Sequence, residues 1–532
     1  MRNFCSLLAP SVFLFFFASS AFGQKTCSEL AQVALPAGKI TLAETVAAGS
    51  FALPGMDASK PVPAMFRTAP AFCRVAATLT PSADSEIKIE VWMPSSGWNG
   101  RLKGQGNGGF AGSINYGDLA AAVREGSASV STDTGHSSAN HSWALGHPEK
   151  ITDYGYRGIH EMTVNAKLIV QAFYGRPQQR AYFAGCSNGG RQALMEAQRY
   201  PEDYDAILAG APANDWTTML SSGLSFTQGV GEDGFLPPAK VATIAKAVVA
   251  ACDARDGVVD GVLNDPRACG FDPATLLCKG ADADSCLTVP QVATVKAIYA
   301  GFRDSSGQTV FPGFLPGAET GGNGWVSWIT GKEPHKNEGF GFVSGYFSMM
   351  VYDDPKWDYR TVKVEDARKL AEAKTASVLN ATDPDLKPFV ARGGKLILFH
   401  GWNDPAIPSL HTVGYYEQVE AKLGAQQAAD SVRLYMVPGM QHCVGGPGAD
   451  IFGQADSVPV KDAEHNIYTT LIEWREKDRA PGPVIATKYV DDDLSKGVKM
   501  TRPLCPYPQE AVYSGHGDTN SSASFACQAP KQ

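Results

Sequence analysis

The chain has 532 residues, 44% of them hydrophobic and 19% charged, a balance that excludes disorder and fits a globular protein. A formal net charge of −8 and a pI of about 5.7, with no basic run, exclude nucleic acid as a partner. That length calls for more than one domain, or for one large domain carrying an insertion.

The amino terminus reads as an export signal. Arg2 gives a positive start, residues 7–17 are apolar apart from Pro10 and Ser11, and Ala21-Phe22-Gly23 places small residues where a signal peptidase reads. Residues 1–23 are therefore expected to be a signal peptide, and the mature protein to be secreted or periplasmic. The run is too short to cross a membrane, and no later stretch reaches that length, so no membrane association is expected. Of eleven cysteines, Cys5 lies in this segment. The even number left in an exported chain implies disulfides. Proximity pairs Cys252 with Cys269, Cys278 with Cys286 and Cys505 with Cys527, with Cys27–Cys73 closing a longer loop.

From residue 87 to residue 213 a strand, a Gly-rich turn and a helix recur. Residues 87–93, 127–132, 180–184 and 206–209 read as strands, and 158–173 and 189–199 as helices. A glycine-rich loop occupies 104–112. Strands alternating with helices predict an α/β fold with a parallel sheet. After Trp216 the chain turns rich in Gly, Asp and aromatics, and the alternation is lost until the apolar strand 395–399. A helix at 410–423, a strand at 433–437 and a helix at 467–476 follow. The expected organisation is an α/β-hydrolase core in two parts, 24–215 and 387–532, interrupted by an inserted lid domain over 216–386.

Gly185-Cys186-Ser187-Asn188-Gly189 fits G-x-S-x-G between a strand and a helix. Such a turn lifts Ser187 above the sheet as a nucleophile, and the helix behind it directs free N–H groups at the reaction centre. A neutral hydroxyl needs a base, and the base needs an orienting acid, in the chain order Ser, Asp, His. Asp404 follows the strand ending at Phe399, and His442 follows the strand ending at Val437. Among rival histidines, His400 follows a strand but precedes the acid, His136, His141, His147 and His160 lie before or near the nucleophile, His411 is on a predicted helix, His465 sits just before one and His516 is in the tail, while Asp383, Asp385 and Asp430 are rival acids. Cys186 and Cys443 each adjoin a catalytic candidate and have no nearer partner. A Cys186–Cys443 bridge would hold the serine turn against the histidine loop, the alternative being a free buried thiol at Cys186. The oxyanion hole is assigned to the N–H of Asn188 and to the early glycine loop, with Gly109 first and Gly108 next.

Residues 252–262 place Asp253, Asp256 and Asp260 close together with two Asp-Gly turns. The spacing is not that of an EF-hand, and from spacing alone a structural Ca²⁺ site and a solvated acidic turn fit equally.

Together Gly185-Cys186-Ser187-Asn188-Gly189-Gly190-Arg191-Gln192, Tyr200-Pro201, Ala209-Gly210-Ala211-Pro212, Gly401-Trp402-Asn403-Asp404 and Pro438-Gly439-Met440-Gln441-His442-Cys443 resemble the tannase and feruloyl esterase family of α/β-hydrolases. That family also holds mono(hydroxyethyl) terephthalate hydrolases. The resemblance implies the same disulfide beside Ser and His, a lid over the acyl pocket, and structural calcium. Its ligands by match are Asp253, Asp256 and Asp260 with the carbonyls of Val258 and Val262. It further implies esters of aromatic acids such as ferulate or gallate, free or attached to a polysaccharide or polyphenol. Trp325, Trp328, Phe340, Phe342, Tyr346, Phe347 and Tyr352 are the lid aromatics that could hold a ring. A terephthalate monoester would want a cation near that ring, and residues 339–355 contain no Lys or Arg. A serine peptidase on the same core and a catalytically inactive secreted binding protein are the other readings.

Overall fold

A computed structural model describes residues 24–57, 60–140, 142–454 and 460–530. The expected signal peptide and His141 lie outside these residues. A nine-stranded sheet forms the centre, in the order β1 (Gly38–Val46), β2 (Phe72–Leu79), β3 (Ile87–Pro94), β5 (Ala128–Thr132), β4 (Arg101–Gln105), β6 (Arg180–Cys186), β7 (Ala206–Gly210), β8 (Lys395–Gly401) and β9 (Val432–Val437). From β5 to β9 neighbouring strands are parallel. The other half corrects the expectation of a parallel sheet: β1/β2, β2/β3 and β3/β5 are antiparallel. Residues 80–86 join β2 to β3, too few for the crossover of about a dozen residues that a parallel pair requires.

The parallel strands β5 and β7 are buried at every position, as expected of strands covered on both faces. Alternate residues serve the two faces. Helix α1 (Tyr116–Arg124) packs Leu119 and Val123 against Phe72 and Trp92. Phe183, Ile207, Leu398 and Leu434 pack against helices α2 (Gly158–Tyr174), α3 (Asn188–Arg199) and the helix Ser409–Leu423. Tyr182, Leu208, Ile397 and Tyr435 meet Ile467, Leu471 and Trp474 of the helix Ile467–Lys477 on the opposite face.

The chain leaves the sheet after β7 and returns at β8. Helix α4 (Trp216–Gly229) starts this excursion, capped by the Asp215 side chain accepting from Thr218 N–H, and the short helix Lys387–Ala391 ends it. The loss of regular alternation seen in the sequence here reflects helices built from weak helix formers. Helix α4 contains Ser221, Ser222, Gly223 and Ser225, and is held by packing rather than by intrinsic propensity. A Cβ at Gly223 would stand 2.7 Å from Val343 Cγ2, so only glycine allows this approach to α5 (Glu338–Tyr346). Residues 484–528 depart from the sheet as well. They form two antiparallel pairs, Val484–Tyr489 with Val498–Leu504 and Glu510–Tyr513 with Phe525–Gln528. Bonds join Cys27–Cys73, Cys186–Cys443, Cys252–Cys269, Cys278–Cys286 and Cys505–Cys527. Among the described residues no helix is long and apolar enough to cross a membrane.

Candidate active site

Three parallel strands deliver three side chains to one point at their carboxyl ends, where ligands collect on open α/β sheets. Ser187 sits between β6 and α3 with φ 65° and ψ −124°, a conformation that an L-residue rarely adopts. Its neighbours make this turn feasible. A Cβ at Gly185 would lie 2.6 Å from Gly189 O, and one at Gly190 would lie 2.2 Å from Gly210 O.

The Ser187 hydroxyl donates to His442 Nε2 at 2.9 Å, and His442 Nδ1 donates to Asp404 Oδ2 at 2.8 Å. Asp404 is fully enclosed, and its other oxygen accepts from the N–H groups of Ala406 at 2.8 Å and Ile407 at 2.9 Å. Burial pushes its carboxyl upward, but the charge of His442 and the hydrogen bonds from His400 and His442 outweigh that and hold it well below the usual carboxylate range. Asp404 therefore stays ionised across any mildly acidic or neutral range and always accepts from the base.

His400, the rival histidine, shares this carboxylate. Its Nε2 lies 3.0 Å from Asp404 Oδ2 and 3.1 Å from Ile407 O, so that nitrogen carries the proton, while Nδ1 accepts from the Thr412 hydroxyl at 2.8 Å. It braces the acid from the side away from the serine. The other rivals lie elsewhere: His147 pairs with Asp84, His160 with Asp203 and His465 with Asp462. Asp383 and Asp430 are exposed.

Cys186 and Cys443 are bonded, with Cα atoms 6.1 Å apart, so the residues next to the nucleophile and the base share a covalent tie. On the oxyanion side, Gly109 borders the same cavity as Ser187, Asn188 and His442. Neither the Asn188 nor the Gly109 N–H has a hydrogen-bond partner among the described residues. The Tyr154 hydroxyl lies 3.1 Å from Gly109 O and 3.0 Å from Asn188 Oδ1, while His136 Nε2 donates to Phe110 O at 2.7 Å. Tyr154 and His136 carried no motif that would single them out. Tyr154 lies in a π-helical turn, Asp153–Arg157, of a kind frequent at functional sites.

The cavity over Ser187 holds about 1100 Å³ and runs beneath the inserted segment. Of the lid aromatics, Trp328, Phe340 and Phe342 line it. Trp325 is instead buried in a lid cluster with Val295 and Ile298, Tyr346 and Phe347 are buried in a second cluster shared with Trp143 and Tyr154, and Tyr352 packs against the second. Trp328 stands edge-on to the His442 ring at 5.0 Å and stacks with Phe342 at 6.1 Å. The same stretch of lid grips the catalytic loops. Asn323 Nδ2 donates to His442 O at 3.3 Å, Gln441 Nε2 donates to Thr320 O, and Asn403 Nδ2 donates to Gly317 O.

In the acidic loop, Asp253 is 6% exposed and accepts from Gly261 N–H at 3.1 Å. Asp256 accepts from Val258 N–H at 2.9 Å and Asn264 N–H at 3.2 Å, and Asp260 accepts from Val262 N–H at 3.0 Å and pairs with Arg502. Asp256, Val258, Asp260 and Val262 border one small cavity of about 30 Å³. Burial, and after it repulsion from Asp260 and Asp253, raises the Asp256 carboxyl despite its backbone hydrogen bonds.

A serine, an aspartate and a histidine in this chain order on this sheet define a serine hydrolase of the α/β-hydrolase class. The family model for tannase and feruloyl esterase matches residues 73–528, and the chain belongs to that family as a carboxylic ester hydrolase. It is 39% identical to an uncharacterized esterase of Xanthomonas campestris over 96% of this chain and 92% of the relative. It is 32% identical to a probable feruloyl esterase B-2 of Aspergillus terreus over 86% of each. The crystal structure of feruloyl esterase B from Aspergillus oryzae superposes with a TM-score of 0.86 at 29% identity, covering 94% of this chain and 99% of that one.

Replacing Cys186 and Cys443 together by Ser should lower kcat on a small aryl ester about tenfold or more, because small misplacements of serine against imidazole are costly. It should also remove up to about 5 kcal/mol of stability by the chain-entropy estimate for a long loop. Kinetics and a melting curve check both, and an unchanged kcat would show that the bridge does not position the pair.

Proposed function

We propose that the protein is an exported serine esterase that cleaves esters of phenolic acids through an acyl-enzyme. The observation that carries this reading is the Ser187–His442–Asp404 line, at 2.9 Å and 2.8 Å, opening into an aromatic-walled cavity. Ser187 Oγ attacks the ester carbonyl carbon as His442 Nε2 takes the hydroxyl proton. The tetrahedral oxyanion receives the N–H groups of Asn188 and Gly109. On collapse, His442 gives its proton to the departing alcohol, leaving an acyl-Ser187. Water then surrenders a proton to His442, attacks the acyl carbon, and releases the acid as Ser187 recovers its proton.

The acyl ring lies against Trp328, which stands edge-on to His442, and Phe342, which stacks with Trp328. The charge of the cavity favours a phenolic acyl group over a terephthalate monoester. Among the described residues, Arg360 is the lone Lys or Arg side chain bordering the cavity, and its guanidinium is already forked onto Asp358. A second carboxylate on the ring would find no free cation. The names of the relatives, feruloyl esterases, support the same acyl class.

The acidic loop suits structural Ca²⁺, held by Asp253, Asp256 and Asp260 with the carbonyls of Val258 and Val262. Four of these five residues border one cavity of about 30 Å³, and hard oxygen donors are what that cation takes. When bound, the cation would supply positive charge that offsets the mutual repulsion of the carboxylates. Export through residues 1–23 is supported by the five disulfides, which persist in oxidising compartments.

Methyl ferulate and methyl gallate should be hydrolysed by the mature protein, and Ser187→Ala should reduce turnover at least about 10³-fold with an unchanged melting curve. Activity retained in that variant, or confined to peptide substrates, would overturn the reading. Chelation by EDTA should lower the melting midpoint by a few degrees, restored by excess Ca²⁺. Identical melts with no metal in elemental analysis would remove calcium from the account.

A further inference from the structure

Arg191 is a charged side chain that the proposed mechanism leaves unused. It stands one turn into α3, at 0% exposure. Buried charges are ordinarily paired with an opposite charge. Arg191 instead donates only to neutral oxygens: Nε to Asn188 Oδ1 at 2.8 Å, Nη1 to Gly155 O at 2.8 Å and Leu379 O at 3.2 Å, and Nη2 to Tyr154 O at 3.1 Å. No carboxylate meets it among the described residues, and its guanidinium lies 4.8 Å from the Tyr154 ring and 5.5 Å from that of Trp216. Burial draws its pKa below the ordinary value, yet a guanidinium keeps its charge in proteins.

The contacts of Arg191 lead to the oxyanion hole. Asn188, whose N–H is one oxyanion donor, has its side chain gripped from three directions. Its Oδ1 faces Arg191 Nε and the Tyr154 hydroxyl, and its Nδ2 donates to Asn107 O at 3.0 Å. The Tyr154 hydroxyl also reaches the carbonyl of Gly109, the residue supplying the other donor. One proton on Tyr154 is thus shared between the two halves of the hole, and the ring beneath it carries the cation.

We propose that Arg191 is a positioning residue for catalysis: its unpaired charge, relayed through Asn188 and Tyr154, favours the tetrahedral oxyanion over the planar ester. The negative partner absent from the resting site forms only when the carbonyl oxygen becomes anionic. Stabilisation of that kind raises kcat and leaves ground-state binding unchanged. A tether that merely ties α3 to residues 154–155 and Leu379 would alter stability and KM instead. The inference rests on the esterase reading above.

The test uses the full mature chain as wild type, Arg191→Met, Arg191→Lys and Tyr154→Phe. Kinetics on methyl ferulate are set beside the affinities for phenylboronic acid, which forms a tetrahedral anion on serine, and for ferulamide, a planar uncharged competitor. Arg191→Met should lower kcat about 10- to 100-fold with KM unchanged within about twofold. Its phenylboronic acid affinity should fall in parallel while ferulamide binding holds, and Arg191→Lys should lose less. Tyr154→Phe, which keeps the ring and removes only the hydroxyl, should lower kcat and phenylboronic acid affinity together, and it decides the matter if Arg191→Met does not fold. A normal kcat in Arg191→Met or Tyr154→Phe, equal losses for both inhibitors, or a Lys variant as impaired as Met would overturn the proposal. A wild type that hydrolyses no ester and binds no phenylboronic acid would sink the esterase reading itself, a result distinct from all of these.

Discussion

The chemistry of this molecule depends on one imidazole held at both ends. His442 lies between a hydroxyl at 2.9 Å and a carboxylate at 2.8 Å, and the rest of the site fixes it there. The carboxylate is itself immobilised by two backbone N–H groups and a second imidazole, His400. The loop carrying His442 is tied covalently to the serine turn and is held by its carbonyl from the lid. Each restraint removes freedom that would otherwise be lost at the moment of reaction, where loose geometry is expensive.

Charge is arranged with the same economy. Asp404 is a buried anion linked to the serine through His442, and Arg191 a buried cation hydrogen-bonded to Asn188, the residue after the serine. Neither is screened by solvent, and electrostatic effects are larger in such surroundings than in water. The aromatic wall of Trp328 and Phe342 shields the His442 side of the site while leaving the cavity open for a ring. The lid is therefore continuous with the catalytic machinery, since Gly317 and Thr320 accept from residues beside the acid and the base, and Asn323 donates to the carbonyl of the base itself.

The triad was legible because its signals are local and ordered along the chain. A strained turn demands glycine at 185 and 190, and acid and base follow apolar strands whose edges the sequence marks clearly. The antiparallel edge was hidden, because β1 and β2 carry no crossover helix to announce them and only Val46 of β1 is buried. The lid helices were obscured by glycine and serine that only tertiary contact makes tolerable, as at Gly223 against Val343. Which aromatics face the cavity is decided by packing between distant segments, so Trp325 and Trp328, three positions apart, part company. Tyr154 and His400 act through neighbours far away in sequence or shared with another residue, and no pattern of spacing records that.

Labelling with a fluorophosphonate, read by peptide mass spectrometry, tests the convergence of the three side chains most directly. Convergence of this kind gives a single adduct, on the peptide containing Ser187, formed far more slowly when His442 is replaced by Ala. An adduct on a different serine, or an unchanged labelling rate without His442, would contradict it.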